Sequence, residues 1–243
     1  MGKKPAAIVL GLSGNGLGVA RSLGRRNIYV IGVDDNIDSP NASSRYIREK
    51  WHFCGSEDAQ IDMLLERRKR FQQPPVLYPI RDATVIAIAE RLDEIQKQYR
   101  ILVPSPDLLK SALCKTTFDQ MASDMGLSTA KSYTIKMPGE INHIANIIKY
   151  PCILKPEYRT KAFTSTAKAK AFYADTSKEL LDQYRTFCHV APEVVVQEFI
   201  PGNDNDLYFC FQYYNVKGDL AASIGGRKIR QWPPLCGSTA SCE

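Results

Sequence analysis

The sequence predicts an α/β chain: a doubly wound parallel sheet comes first, and a second domain of α+β type with an antiparallel sheet follows. Three observations lead there. A continuous apolar run, Ala6-Ala-Ile-Val-Leu10, enters a glycine-rich turn, Gly11-Leu-Ser-Gly-Asn-Gly-Leu-Gly18. Strand-like and helix-like segments then alternate for about a hundred residues, the pattern of a parallel sheet with crossover helices. Late in the chain three extended segments follow one another, separated by the turn signals Pro201-Gly202-Asn203 and Lys217-Gly218-Asp219.

The elements follow in order. Residues 6–11 read as a buried strand, the glycine turn leads into a helix to about Arg26, and residues 28–33 form the next strand, ending in Asp34-Asp35. Continuous apolar strands of this kind suit a sheet covered on both faces. Residues 56–71 read as a helix with Ser56 as its N-cap and acidic residues in the first turn. Residues 76–78 are a short strand. Residues 82–98 are an amphipathic helix with Val85, Ile88, Ala89, Leu92 and Ile95 on one face. Residues 101–103 are the next strand, stopped by Pro104 and Pro106.

The character changes after that. Residues 106–126 read as two short helices, 150–156 and 169–173 as strands, and 177–187 as a helix. Residues 193–200, 207–214 and 220–230 are extended. The domain boundary is expected near residues 105–113, giving domains of 1–110 and 111–243. The closing GSTASCE has the composition of a loop. A sheet so rich in apolar residues needs covering elements, so the sequence is expected to stop within its second domain.

Composition excludes several function classes. The 243 residues carry 32 Lys and Arg against 26 Asp and Glu, a formal charge of +6. No apolar run approaches the roughly 18 residues that span a bilayer, and the run at 6–10 is too short for a signal peptide. A cytoplasmic protein without a membrane partner is expected. Cys54, Cys114, Cys152, Cys188, Cys210, Cys236 and Cys242 are odd in number and form no CxxC pair, so reduced thiols are expected rather than a zinc site or disulfide framework. Basic residues cluster at Arg67 to Arg70 and from Lys161 to Lys170. Aromatic residues are not interleaved with the first cluster, which reads as a solvated helix face and gives no ground for nucleic-acid binding. Excess Lys and Arg in the second half suit an anionic small molecule such as a nucleotide.

The glycine turn admits two readings. Glycines after a first strand let a phosphate approach a helix N-terminus, and Asp34 stands where an acid binds ribose in dinucleotide-binding proteins. That would make the chain an NAD(P)-binding protein. The spacing speaks for a structural turn without cofactor: a GxGxxG starting at Gly14 meets Val19, and one starting at Gly11 meets Ser13.

In the second half, four features point to a nucleotide site. Lys115 opens the helix KTTFDQMASDMGLS. Lys155 ends the apolar strand ILKP. The strand VVVQEFI, with Gln197, Glu198, Phe199 and Ile200, runs into Pro201-Gly202. Asp204 and Asp206 follow. A lysine at a strand end is held by the sheet, so its ammonium can meet phosphate oxygens at a fixed distance. An extended backbone offers alternating carbonyl and amide groups to the edge of adenine, as it would to an added strand. A carboxylate just past a tight turn can accept from ribose hydroxyls. Each feature alone is also what a solvated surface or an Asx turn would show; order and spacing together carry the reading.

These segments resemble the ATP-grasp superfamily, in particular its carbamoyl-phosphate-synthase-like and D-aspartate-ligase-like branch. The resemblance runs over nearly the whole chain, through GLSGNGLGVARSLGRRNI, KTTFDQMASDMGLS, YPCILKP, VVVQEFIPGNDNDLYF and GGRKIRQWPP. It implies a Rossmann-like pre-ATP-grasp domain that helps hold the second substrate, then a partial ATP-grasp domain. Lys115 and Lys155 match the family's phosphate-contacting lysines. Gln197, Glu198, Phe199 and Ile200 match the adenine-binding hinge, where the Glu198 and Ile200 positions offer backbone carbonyl and amide. Asp204 matches the ribose ligand. Arg227, Lys228 and Arg230 match a basic catalytic strand facing phosphates or acyl phosphate. ATP and Mg2+ are the implied cofactors, a small carboxylate and an amine the substrates, and the resemblance leaves room for a homodimer.

The sequence departs from the family twice. The stretch after Lys155, EYRTKAFTSTAKAK, contains no glycine where many relatives carry a glycine-rich loop. The magnesium-binding carboxylates are expected beyond residue 243, so no metal ligand is assigned within the chain. The expectation is an ATP-dependent carboxylate–amine ligase that binds nucleotide and turns over little by itself. The alternatives are the NAD(P)-binding protein and a truncated scaffold that binds nothing.

Overall fold

The computed structural model describes residues 4–158, 161–167, 171–232, 234 and 237–243. Of the sequence expectations, part of the basic run from Lys161 to Lys170, the start of the strand at Ala169, and Cys236 lie outside the described residues. The chain divides into two compact units, Met1–Lys110 and Ser111–Glu243.

The first unit holds β1 (Ala7–Leu10), α1 (Gly14–Gly24), β2 (Val30–Asp34), β3 (Ile47–His52), α2 (Glu57–Arg67), β4 (Val76–Pro79), α3 (Asp82–Glu90) and α4 (Leu92–Ile95). Helix α5 (Pro106–Leu113) carries the division between the units. The four strands form a parallel sheet in the order β3-β2-β1-β4. β1 and β2 are its apolar centre, with Ile8, Leu10, Ile31 and Val33 packing on Ile61, Leu64 and Ile88 from the helices on one side. Val9, Leu12, Ala20 and Val30 pack on the other side. Ser56 caps α2 as expected, its hydroxyl accepting from the Ala59 amide at 3.3 Å.

Three local features differ from the sequence expectation. β3, IREKWH, was not expected: only Ile47 and Trp51 are buried, and its charges suit an edge strand. Arg67 and Arg70 stack over the Trp51 ring at 4.5 and 5.5 Å, so this part of the basic cluster packs on an aromatic ring as well as facing solvent. Residues 101–103 are not a strand. Arg100 alone bridges to β4, through Arg100 N to Pro75 O at 2.8 Å and Leu77 N to Arg100 O at 3.0 Å, and Ile101 and Val103 pack sideways onto the core. The expected helix over 82–98 is broken at Arg91 (φ −114°, ψ 29°). Ile88 and Ile95 are buried on either side of the break, so the apolar period survives an interruption of the backbone that it does not report.

The second unit contains α6 (Lys115–Asp124), β5 (Ser132–Ile135), α7 (Glu140–Ile147), β6 (Cys152–Pro156), α8 (Lys161–Thr166), β7 (Phe172–Ala174), α9 (Ser177–Phe187) and β8 (Val194–Glu198). A 3-10 turn at Asp204–Asp206 precedes β9 (Tyr208–Tyr214), β10 (Leu220–Trp232) and β11 (Ser238–Cys242). One antiparallel sheet has the order β5-β8-β6-β7, and the other is β11-β10-β9. α9 spans the expected residues and is capped by Thr176, which accepts from the Glu179 amide at 3.2 Å, while Glu179 accepts from the Asp175 amide at 2.9 Å. β11 corrects the loop reading of GSTASCE. Its small polar residues show no apolar alternation, yet they pair with β10 through the backbone, and Arg227 and Glu243 exchange amide-to-carbonyl bonds of 2.8 and 3.0 Å. β9 and β10 expose Tyr208, Phe211, Ile224 and Trp232.

The four-stranded antiparallel sheet has two unlike faces, as the period of two requires. Cys152 and Leu154 on β6, Val194 and Val196 on β8, Ile135 on β5 and Ala174 on β7 pack on Ile141 and Ile144 of α7 and Leu180 and Tyr184 of α9. The opposite face carries Ile153 and Lys155, Val195 and Gln197, Ser132 and Thr134, by the registers Ser132↔Gln197, Thr134↔Val195, Ile153↔Gln197 and Lys155↔Val195.

Candidate functional site

Lys155 stands on that polar face. Its Nζ donates to Oε1 of Gln197 at 2.9 Å, and the Gln197 amide nitrogen reaches the Ala130 carbonyl at 3.5 Å. Gln197 was expected to matter through its backbone; here its side chain holds the lysine.

Helix α6 lies along the same face because its polar residues match those of β5. Thr116 Oγ1 and Thr134 Oγ1 are 2.5 Å apart, and the Ser132 hydroxyl donates to the Asp119 carboxylate. Asp119 lies four residues after Lys115, on one helix face with it. Lys115 Nζ donates to the backbone carbonyl of Glu157 at 2.5 Å. Glu157 follows Lys155 by two residues, and its amide bonds the Glu193 carbonyl at 3.0 Å. Its carboxylate, 2% exposed, accepts from the Cys114 thiol and from the Thr116 amide, each at 3.1 Å.

The two lysines, expected from separate motifs, are therefore brought together, and the electrostatics reflect it. Burial pushes the Lys155 ammonium below the ordinary lysine value and the Lys115 charge pushes the same way, while Asp119 and Glu157 hold it up. Asp119 and Glu157 were not singled out in the sequence. The signals were there as spacings: four residues from one lysine on a helix, two residues from the other along a strand.

At the end of β8 the Glu198 amide donates to Lys131 O at 2.9 Å, and the Phe199 amide to Pro151 O at 3.0 Å. The Phe199 ring meets Tyr173 edge-on at 5.0 Å. Ile200 is 72% exposed, and among the described residues its amide donates to no protein group.

The remaining expected residues form a second cluster, on β10 and the 3-10 turn. Asp204 accepts from the Gln231 amide at 2.7 Å and from Gln231 Nε2 at 2.9 Å. Lys228 Nζ donates to Gln231 Oε1 at 3.1 Å. Gln231, 4% exposed, thus joins Asp204 to Lys228. Arg227 is ion-paired with Glu243, and Arg230 is exposed opposite Ser241. Among the described residues no three His, Cys, Asp or Glu side chains converge as a metal site would require.

In the first unit, the glycine turn and Asp34 are bound to each other. Asp34 accepts from the Leu12 amide at 2.5 Å and from the Asn36 amide at 3.1 Å, and Arg81 lies 3.6 Å away. Burial alone would raise this carboxyl; those amides, Asp35 and Arg81 bring it below the ordinary value. Oδ2 thus serves the glycine turn, and Oδ1 the Asn36 amide just past β2.

No family model matches the chain. It is 24% identical over 181 residues to a formate-dependent phosphoribosylglycinamide formyltransferase of Bacteroides fragilis, covering 72% of this chain and 43% of the relative. Among solved structures, N5-carboxyaminoimidazole synthetase of Staphylococcus aureus, complexed with ADP, superposes with a TM-score of 0.69 at 13% identity, over 93% of this chain and 55% of that one. L-amino acid ligase of Bacillus licheniformis gives 0.65 at 12% identity, over 94% and 51%. The chain spans about half the length of the curated relatives it matches. The chain shares the fold of these solved enzymes. Among the described residues no helix is long and apolar enough to cross a membrane.

Proposed function

We propose that this chain forms the nucleotide-binding part of an ATP-dependent carboxylate–amine ligase, with residues 1–110 as the pre-ATP-grasp domain and 111–243 as part of the ATP-grasp domain. The observation that carries the reading is the meeting of Lys115 and Lys155 on one sheet face, between α6 and the Gln197 side chain. Two ammonium groups held by backbone and amide oxygens form a cation pair that a polyphosphate tail can bridge. The exposed amide of Ile200 and the carbonyl of Glu198 are the groups for an adenine edge. Asp204, held by Gln231 through both carboxylate oxygens, is the group assigned to the ribose in this reading. Arg227, Lys228 and Arg230 meet the charge that develops on the transferred phosphoryl group.

Magnesium belongs to the chemistry of such ligases, where it neutralises phosphate charge. The lysines are charges that this chain brings to the phosphates. The formate and amino-acid substrates named for relatives support a carboxylate as the group activated, and an amine as its acceptor.

The alternative is the dinucleotide reading, carried by the glycine turn and Asp34, whose carboxylate accepts from the Leu12 and Asn36 amides. A thermal-shift comparison separates the two, because a ligand that binds the folded state raises its stability. ADP or ATP is expected to raise Tm, NAD to leave it unchanged, and Lys155→Ala to remove the response. A shift with NAD that Asp34→Ala abolishes would overturn the proposal.

A further inference from the structure

Resting on the nucleotide reading, we infer that Glu157 is a positioning residue that clasps the first turn of α6 to the end of β6 and so sets Lys115 beside Lys155. Three of its groups are engaged in four hydrogen bonds, which tie the start of α6 to the end of β6 and on to the residue before β8. The carbonyl holds the Lys115 ammonium at 2.5 Å. The amide continues the ladder to Glu193 at 3.0 Å. Carboxylate oxygen Oε1 takes both the Thr116 amide and the Cys114 thiol at 3.1 Å. The Thr116 amide is one of the donors a helix start leaves without an intrahelical acceptor, and the side chain of Cys114, the N-cap residue, caps none of the helix amides. A carboxylate there also opposes the positive end of the helix dipole.

The other oxygen, Oε2, is buried and has no hydrogen-bond partner among the described residues. A carboxylate at 2% exposure with one oxygen unmet is costly to keep. The Lys155 ammonium, which the Glu157 charge holds up, supplies compensating charge, and the Lys115 ammonium sits on the carbonyl of the same residue. Sequence position agrees: Glu157 is two residues beyond Lys155, so period two puts it on the lysine's side of the sheet. Nothing in this arrangement requires Glu157 to touch nucleotide.

The test uses the full chain with ADP as titrant, in calorimetry on wild type, Glu157→Ala, Glu157→Gln, Lys115→Ala and the Glu157→Ala/Lys115→Ala double variant. Glu157→Ala is expected to weaken ADP by about ten-fold or more, with Glu157→Gln, which keeps an acceptor for Thr116, recovering most of the loss. Because both single changes disable the same lysine, the double variant is expected to bind within about two-fold of the weaker single. Wild-type affinity in Glu157→Ala, or additive losses in the double variant, would overturn the inference. A second measurement needs no nucleotide: the rate of Cys114 alkylation by iodoacetamide, read by mass spectrometry against exposed Cys54. Glu157→Ala is expected to speed Cys114 alone by several-fold; an unchanged rate would overturn the clasp. A wild-type chain that binds no ADP would instead sink the nucleotide reading and with it the role assigned to the clasp, whichever way the alkylation falls.

Discussion

Lys155 and Gln197 are diagonal neighbours on one face of the antiparallel sheet: Lys155 lies opposite Val195 and Gln197 opposite Ile153, yet Nζ reaches Oε1 at 2.9 Å. The amide fixes the direction of an ammonium that burial alone disfavours. That single contact turns a strand-end lysine into a directed positive charge, and α6 brings the second one to meet it.

The pH dependence of binding follows from this. Lys155 lies below the ordinary lysine value of 10.5, chiefly through burial. Phosphate binding needs the charged form, so ADP affinity is expected to fall as pH rises through this depressed value, earlier than a solvated lysine would dictate. The stability effect has the opposite sign. The unfolded chain holds this proton to higher pH, so the unliganded fold gains from Lys155 as pH rises through the same window. Calorimetry with ADP and urea unfolding, each across alkaline pH, check the two trends.

The glycine turn gives a sharp contrast. A Cβ on Gly16 would lie 2.0 Å from the Gly11 carbonyl oxygen, whereas one on Gly18 meets nothing within 4 Å. Gly16→Ala is expected to destabilise the first unit by about 1–3 kcal/mol or more. Gly18→Ala, inside α1, is expected to stabilise it by about 0.5–1 kcal/mol. Urea unfolding of the two variants measures both.

Asp34 is expected to act on stability rather than on ligand. Asp34→Ala leaves the Leu12 and Asn36 amides without their acceptor, an expected loss of about 1–3 kcal/mol. The folded carboxyl lies below its ordinary value of 3.8. Its contribution is therefore complete above that value and is lost as pH falls through the lower, folded one. Wild type and variant are expected to differ in unfolding midpoint at neutral pH and to converge in strong acid, with the ADP response unaffected.

Gln231 holds Asp204 with two bonds and receives Lys228. Gln231→Leu keeps the backbone amide bond but removes the side-chain one and leaves Lys228 without this acceptor. A loss of about 1–2 kcal/mol in unfolding free energy is expected, together with weaker ADP binding through a freer Asp204. Denaturant titration and calorimetry read the two effects.

Much of this fold was legible in the residues. The apolar runs at β1 and β2, the Ser56 cap and the helix at α9 stand where pattern placed them. β3 and β11 were invisible for one reason: their pairing is a backbone property, and IREKWH and STASC lack the apolar alternation that reports a buried face. β5 and α7 fell between the expected elements. At the site, Lys115 and Lys155 were legible from motif order. Glu157, Asp119 and Gln231 were not, because a residue that holds another is seen only once the elements carrying both are packed. The role of the Gln197 side chain escaped for the same reason, since an extended strand draws attention to its backbone.

The most direct measurement is a crystal structure of this chain grown with ADP. The account predicts the phosphates within hydrogen-bond reach of both Lys115 and Lys155, and adenine on the Glu198–Ile200 backbone. ADP seated instead against the Gly11–Gly18 turn, with both lysines untouched, would contradict it.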